Sequence, residues 1–232
     1  MFKLLRLTLA VSALIFVVSC ASVNEFNNNN EPVKTSIYLE KDEIALFGYG
    51  SLVNIESMEK TLRHKYTGPI ILTYLKGWKR DWDVVMPNSY FYEETHHGKY
   101  FPKYIVYLNV GPSKEHKVYG ALFVIKKKEL NGFKEREWIY NFKDIGNSIE
   151  NVKVFGGGVY TCIAKKKYKI NSIDDKTMAI RKSYIKMVKH AYLTNGKSSL
   201  EEYYDTSEKI PEQIVINDKK NKEAKNPFGY KK

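Results

Sequence analysis

Cysteine is scarce in this 232-residue chain: Cys20 and Cys162 are the only two, too few for a disulfide framework. Long apolar runs are missing as well. The best of them, Leu7 to Val18, is interrupted by Thr8 and Ser12 and is too short to span a bilayer comfortably. No internal repeat is visible. His96 and His97 are adjacent, so they point differently on a regular backbone, and no spaced Asp, Glu or Cys set accompanies them; no metal site is expected. A serine nucleophile elbow is excluded too, because Tyr49-Gly50-Ser51-Leu52-Val53 lacks the second glycine of G-x-S-x-G. What is present is 43% hydrophobic and 14% aromatic residues, enough for one globular domain with a real core and short appendages.

The N-terminus places Lys3 and Arg6 before the apolar stretch and closes it with small residues, the layout of a cleaved export signal over residues 1–19. Val17-Val18-Ser19-Cys20 resembles a bacterial lipobox, which implies a lipidated Cys20, a membrane partner and a place in the bacterial cell envelope. With Cys20 lipidated, no intramolecular disulfide can form, and Cys162, in an apolar alternation, reads as a buried packing residue. Residues 20–42, with Asn27 to Asn30 and Pro32, lack periodicity and read as a flexible tether. The formal charge of +12 falls to +10 without residues 1–19; within the basic tail over 206–232 the stretch from Ile216 to Lys232 holds +4, which leaves about +6 on the folded part. The remaining lysine runs, such as Lys126 to Lys128, look like solvated strand ends. They suit weak attraction to anionic membrane or wall polymer, and no nucleic-acid partner is expected.

The domain is expected over residues 43–205. "EIALFGYG" reads as a strand ending in glycine, and "NIESMEKTLRHKY" as a helix with Asn54 or Ser57 near its start. "PIILTYLKGWKRDWDVVM" is one or two strands with a turn near Gly77, and residues 87–103 a loop or irregular hairpin. "YIVYLNVGP" and "KVYGALFVIKK" read as two strands separated by a turn-like "PSKEH". Gly156 to Gly158 would turn a strand pair, and Met178, Arg181, Ile185, Val188 and Tyr192 share one face of a closing helix that stops at Gly196. Residues past 205 have little to bury. Many strands with two substantial helices predict an α+β domain: a small mixed, strongly curved sheet or barrel with flanking helices.

Five of these segments, in this order, resemble one family. "FGYGSLVN" is similar to the strand and Y-G-S loop that open the gamma-glutamylcyclotransferase-like superfamily, and "LKGWKRDWDV" to its glycine-aromatic-arginine segment. "VYGALFVIKKKELNGFKERE" resembles its V-x-G-x-L-F strand and the R-E element that follows. "EWIYNFKDI" supplies the tyrosine three residues after the glutamate, here Tyr140, and "SYIKMVKHAYLTNGKSSLEEYYD" the closing helix. The resemblance spans Ile44 to Asp205. It implies an enzyme that cyclises a γ-glutamyl amide to 5-oxoproline, with Tyr49, Gly50, Ser51, Leu52 and Tyr140 at the substrate and Glu137 as general acid/base. Lys134 stands where the family often has aspartate, and Trp138 where a smaller residue is usual.

The chemistry asks for the same groups. The substrate's α-amine must attack its own γ-carbonyl, and as an ammonium it has no lone pair until a carboxylate removes a proton. A partly desolvated glutamate suits both that step and protonation of the departing amine. Because attacker and target share one molecule, orientation supplies part of the roughly 7–11 kcal/mol available to well-placed intramolecular reactions. No metal or organic cofactor is required. The requirement for a free α-amine argues against intact peptidoglycan stems and leaves small γ-glutamyl peptides or amines. The alternative is a non-catalytic envelope lipoprotein that binds a carboxylate or amino-acid ligand in the same pocket. Oligomeric state is not legible. If the lipobox reading holds, a radiolabelled fatty acid fed to bacteria expressing the full chain labels the protein, and Cys20→Ser abolishes the label; label retained in the variant refutes it.

Overall fold

The computed structural model describes residues 35–228. The export segment, Cys20 and most of the 20–42 tether lie outside the described residues.

The sheet is organised by one long strand. β6 (Tyr104–Lys126) pairs antiparallel with β3 (Ile70–Pro87) along nearly its whole length, and the two halves of β6 recruit different neighbours on the other edge. Its second half pairs antiparallel with β2 (Glu43–Gly48), which runs parallel to β9 (Val159–Ala164), itself antiparallel to β7 (Tyr140–Asp144). Its first half pairs parallel with β10 (Met178–Arg181), followed by β11 (Val215–Ile216). Four helices flank this sheet: α1 (Ile55–Leu62), α2 (Leu130–Arg136), α3 (Lys182–Leu193) and α4 (Lys197–Asp205). The architecture is α+β, as expected. β2 is the central strand, and Ile44 to Phe47 are all buried, the continuous apolar run of a strand covered on both faces.

Several local expectations are corrected. "PSKEH" does not separate two strands: the ladder passes from Lys76 opposite Lys117 directly to Trp78 opposite Pro112, so residues 113–116 form an outward excursion within one strand sharing one partner. Gly156 to Gly158 do not close a hairpin, because β8 (Val152–Phe155) pairs parallel with β1 (Thr35–Tyr38) while β9 joins β2. Met178 and Arg181 are strand residues rather than part of the α3 face; Ile185, Val188 and Tyr192 do pack inward from that helix.

The packed region also extends past both ends of 43–205. Ile37 and Leu39 are buried at one end. At the other, Ile214 and Ile216 are buried, and β12 (Lys219–Lys220) pairs with β4 (Phe91–Thr95), the strand that forms a hairpin with β5 (Gly98–Tyr100). His96 and His97 occupy the exposed tip of that hairpin.

Helix α1 starts where its sequence directs, the Asn54 side chain accepting a hydrogen bond from Ser57 N at 2.8 Å. Behind it, β2 and β6 approach so closely that a Cβ on Gly120 would lie 2.3 Å from the Gly48 carbonyl oxygen and 2.6 Å from the Phe47 ring. Backbone cannot yield there cheaply. Gly120→Ala is expected to destabilise the domain by about 3 kcal/mol, read as a fall in the urea midpoint; an unchanged midpoint would contradict this packing.

Candidate active site

Where β2 ends, the chain makes a single 3-10 turn, Ser51–Val53, before entering α1. A Cβ on Gly50 would stand 2.9 Å from the Tyr184 hydroxyl, so a larger residue at that position would have to displace this side chain of α3. On the far side, α2 ends at Arg136 and Glu137 caps it. These two chain ends meet through one guanidinium. Arg136 Nη2 donates to Ser51 Oγ and Ser57 Oγ, both at 2.9 Å, and Nη1 donates to Ser57 O at 2.7 Å and Thr61 Oγ1 at 2.9 Å. Nε lies 2.8 Å from Glu137 Oε1. All five N–H donors of the side chain are thus engaged, and it is 6% exposed.

Ser51, Arg136, Glu137 and Tyr140 line one cavity of about 290 Å³. Glu137 is 13% exposed. Burial raises its pKa above the usual 4.5, and the adjacent Arg136 charge acts against that rise. Tyrosines surround the carboxyl. Tyr140 donates to Leu108 O at 2.7 Å and Tyr49 to Cys162 O at 2.8 Å, and burial holds both phenols well above their ordinary range, so both stay neutral donors. Cys162 is buried and its thiol is likewise pushed up by burial, which makes it a packing group rather than a nucleophile. Ser51 Oγ receives a hydrogen bond from Arg136, and a donor cannot take its proton.

Of the residues expected at the site, Ser51, Glu137 and Tyr140 face the cavity. Tyr49 and Leu52 turn into the core, and Gly50 contributes its lack of a side chain. Sequence reasoning passed over the rest of the wall. Arg136 stood in the quoted R-E element but read as one more charge in a polar run. Tyr107, Arg181 and Tyr184 come from the β6–β10–α3 side. Residues 210–228, expected to bury little, run as a strap along the cavity wall. Lys220, Asn226 and Phe228 line the cavity, the Pro227 carbonyl accepts from Trp138 Nε1 at 3.0 Å, and Asn221 N donates to Tyr90 O at 2.7 Å. Trp138, the departure noted in the sequence, therefore has a partner in this strap. Among the lining residues Lys60, Arg136, Arg181 and Lys220 face a single carboxylate, Glu137.

No family model and no curated protein matches the chain. Solved structures similar to it include a gamma-glutamyl cyclotransferase, 17% identical with a TM-score of 0.49, covering 74% of this chain and 95% of that one. An uncharacterized protein from Homo sapiens is 16% identical with a TM-score of 0.48, covering 75% and 96%. A gamma-glutamyl cyclotransferase specific to glutathione, from yeast, is 13% identical with a TM-score of 0.43, covering 72% and 97%. These are distant likenesses, and none assigns a role to a residue.

Replacing Arg136 by lysine keeps the charge but leaves several of its five acceptors unmatched in a buried place. Arg136→Lys is expected to lose about 3 kcal/mol of stability in chemical denaturation. A variant within experimental error of the parent would show that the guanidinium is not the tie described.

Proposed function

We propose that the chain is a gamma-glutamylcyclotransferase-like enzyme that converts a γ-glutamyl amide with a free α-amine into 5-oxoproline and a released amine. The observation that carries this reading is the Glu137 carboxyl, mostly buried and raised in pKa, in one cavity with the Ser51 turn to which Arg136 ties it. The five ordered sequence segments point the same way.

In this mechanism Glu137 takes a proton from the substrate's α-ammonium, and the freed nitrogen attacks the γ-carbonyl carbon. A C–N bond forms, the carbonyl π electrons move to oxygen, and they return as the bond to the departing nitrogen breaks. Two protons leave the attacking nitrogen and both end on the departing amine, which goes as an ammonium; Glu137 carries them and returns to its starting state. Arg136 keeps the carboxyl from rising too far in pKa to act as a base. Because Ser51 Oγ accepts from Arg136, its own hydroxyl proton is left to donate, polarised, toward the developing oxyanion. The neutral tyrosines give the site low polarity without adding charge. Lipidation at Cys20, as the lipobox implies, would hold this activity at a membrane of the cell envelope.

The test is 5-oxoproline release from a panel of small γ-glutamyl amides. Glu137→Gln is expected to lower kcat/KM by about 10²–10⁴-fold, and full activity in that variant would remove Glu137 from the reaction. The base must be ionised, so kcat/KM falls as pH drops through the raised folded pKa, giving an acid limb above 4.5. The linked stability effect has the opposite sense. A folded pKa above the unfolded value contributes stability below about pH 4.5 that is lost as pH rises through the folded pKa. The melting temperature of the parent should therefore fall, relative to that of Glu137→Gln, as pH rises from about 4.5 through the folded pKa.

A further inference from the structure

The outward face of α3 carries cations that nothing in the fold answers. Lys182, Lys186 and Lys189 stand at i, i+4 and i+7, so at about 100° per residue they form one stripe, and Leu193 continues it one turn later. Lys182 and Lys186 are exposed and Lys189 half-buried, and among the described residues none of the three has a carboxylate partner. The run Lys126 to Lys128, which suits an anionic surface by sequence, is different. Lys126 lies within 3.2 Å of carboxylate oxygens of Glu40, Asp42 and Glu43, and Lys127 Nζ donates to Lys41 O at 2.6 Å. Lys182 is also the first residue of α3, where the helix dipole disfavours a cation. At the far end of the stripe the surface turns apolar. Leu193 is 50% exposed and Tyr204 of α4 44%, and Lys189 Nζ lies 5.2 Å from the Tyr204 ring centroid, which brings that ring alongside. Lys197 adds a cation at the start of α4, with Glu201 3.9 Å from it.

We propose that the α3 stripe, together with Leu193 and Tyr204, docks the domain on an anionic lipid surface. Both halves of the patch select this occupant. A soluble polyanion would answer the lysines and leave Leu193 and Tyr204 in water, whereas a bilayer takes the lysines at its phosphates and the two larger side chains at the boundary beneath them. Each lysine held near an anionic leaflet contributes roughly a five-fold gain in affinity. Three of them make a contact that is reversible and weakened by salt. Tyr184 and Met187, which line the cavity, leave α3 on other faces, so docking does not use the catalytic lining. The proposal rests neither on lipidation of Cys20 nor on the cyclisation.

The experiment uses the full chain carrying Cys20→Ser, so that no lipid is attached there, and measures co-sedimentation with vesicles of phosphatidylcholine alone or mixed with phosphatidylglycerol. Residues 1–19 are common to every variant, so differences between variants report on the domain. The mixed vesicles are expected to bind about 10-fold or more tightly than the neutral ones, and Lys182→Gln, Lys186→Gln and Lys189→Gln combined to lose about 10–100-fold on the mixed vesicles. A control in which the exposed Lys114, Lys166 and Lys176 become glutamine has the same net charge and is expected to lose less than about 3-fold. Leu193→Ser with Tyr204→Ser is expected to weaken binding by about 10-fold and to leave its salt dependence unchanged. Equal loss in the two lysine triples shows that net charge alone acts and overturns the proposal, as does equal binding to the two kinds of vesicle. Loss in the α3 triple with none in the Leu193 and Tyr204 pair assigns the stripe to a polyanion and overturns the lipid docking. A cooperative thermal melt establishes that each variant is folded, and the comparison of vesicles on the chain with its lysines intact needs none of them.

Discussion

The Arg136 guanidinium is the constraint on which the rest of the site depends. Burying a cation is expensive unless each of its donors and its charge is answered. Here the answers come from three parts of the chain: the Ser51 turn, the first and second turns of α1, and the Glu137 carboxyl. That accounting fixes where α1 and α2 can lie against each other, because moving either leaves a buried donor unpaired. The same contact bears on the ionisation of Glu137. Desolvation favours a neutral Glu137 and raises its pKa, and the Arg136 charge beside it acts against that rise. One arginine thus serves as structural tie and as electrostatic counterweight.

A second buried arginine supports the turn from behind. Arg80, 1% exposed, donates to Tyr192 Oη at 3.1 Å and to the Tyr119 carbonyl, while Tyr192 Oη donates to Tyr49 O at 3.2 Å. Its guanidinium carbon lies 4.7 Å from the Tyr203 ring centroid. The cation is shared among carbonyls, hydroxyls and aromatic faces rather than a carboxylate, which places it in the scaffold of β3, β6, α3 and α4. Three arginines are therefore buried in different settings: Arg80 in the scaffold, Arg136 with its donors engaged at the site, and Arg181 beside Asp218 and among aromatic rings at the cavity wall.

What could be read in advance was whatever lay in contiguous sequence. β2, the Asn54 cap and the pairing of the Ser51 turn with Glu137 rest on short motifs whose residues act where they stand. Arg181 was misplaced because Met178 and Arg181 continue the i, i+3, i+4 spacing of α3 backward, and only the backbone angles at the junction reveal that the strand ends there. The strap was missed for a different reason. Ile214, Ile216 and Phe228 are few and set among lysines, and their burial depends on β10, Phe91 and Tyr107, distant in sequence. The Gly156 to Gly158 hairpin failed likewise, since the partner of β8 is β1, more than a hundred residues earlier. Tyr49 and Leu52 belong to the motif but act through packing, which a motif does not distinguish from contact with substrate.

In the proposed reaction the Glu137 carboxyl, shielded from water and balanced by Arg136, is the group whose ionisation controls cyclisation. Difference infrared spectroscopy of the wild-type protein against Glu137→Gln isolates that one carboxyl. A protonated C=O band is expected to persist above pH 4.5 and to disappear with the same midpoint as the acid limb of the 5-oxoproline rate profile. A band that titrates at or below the ordinary carboxylate value, or a midpoint separated from the kinetic one, would contradict it.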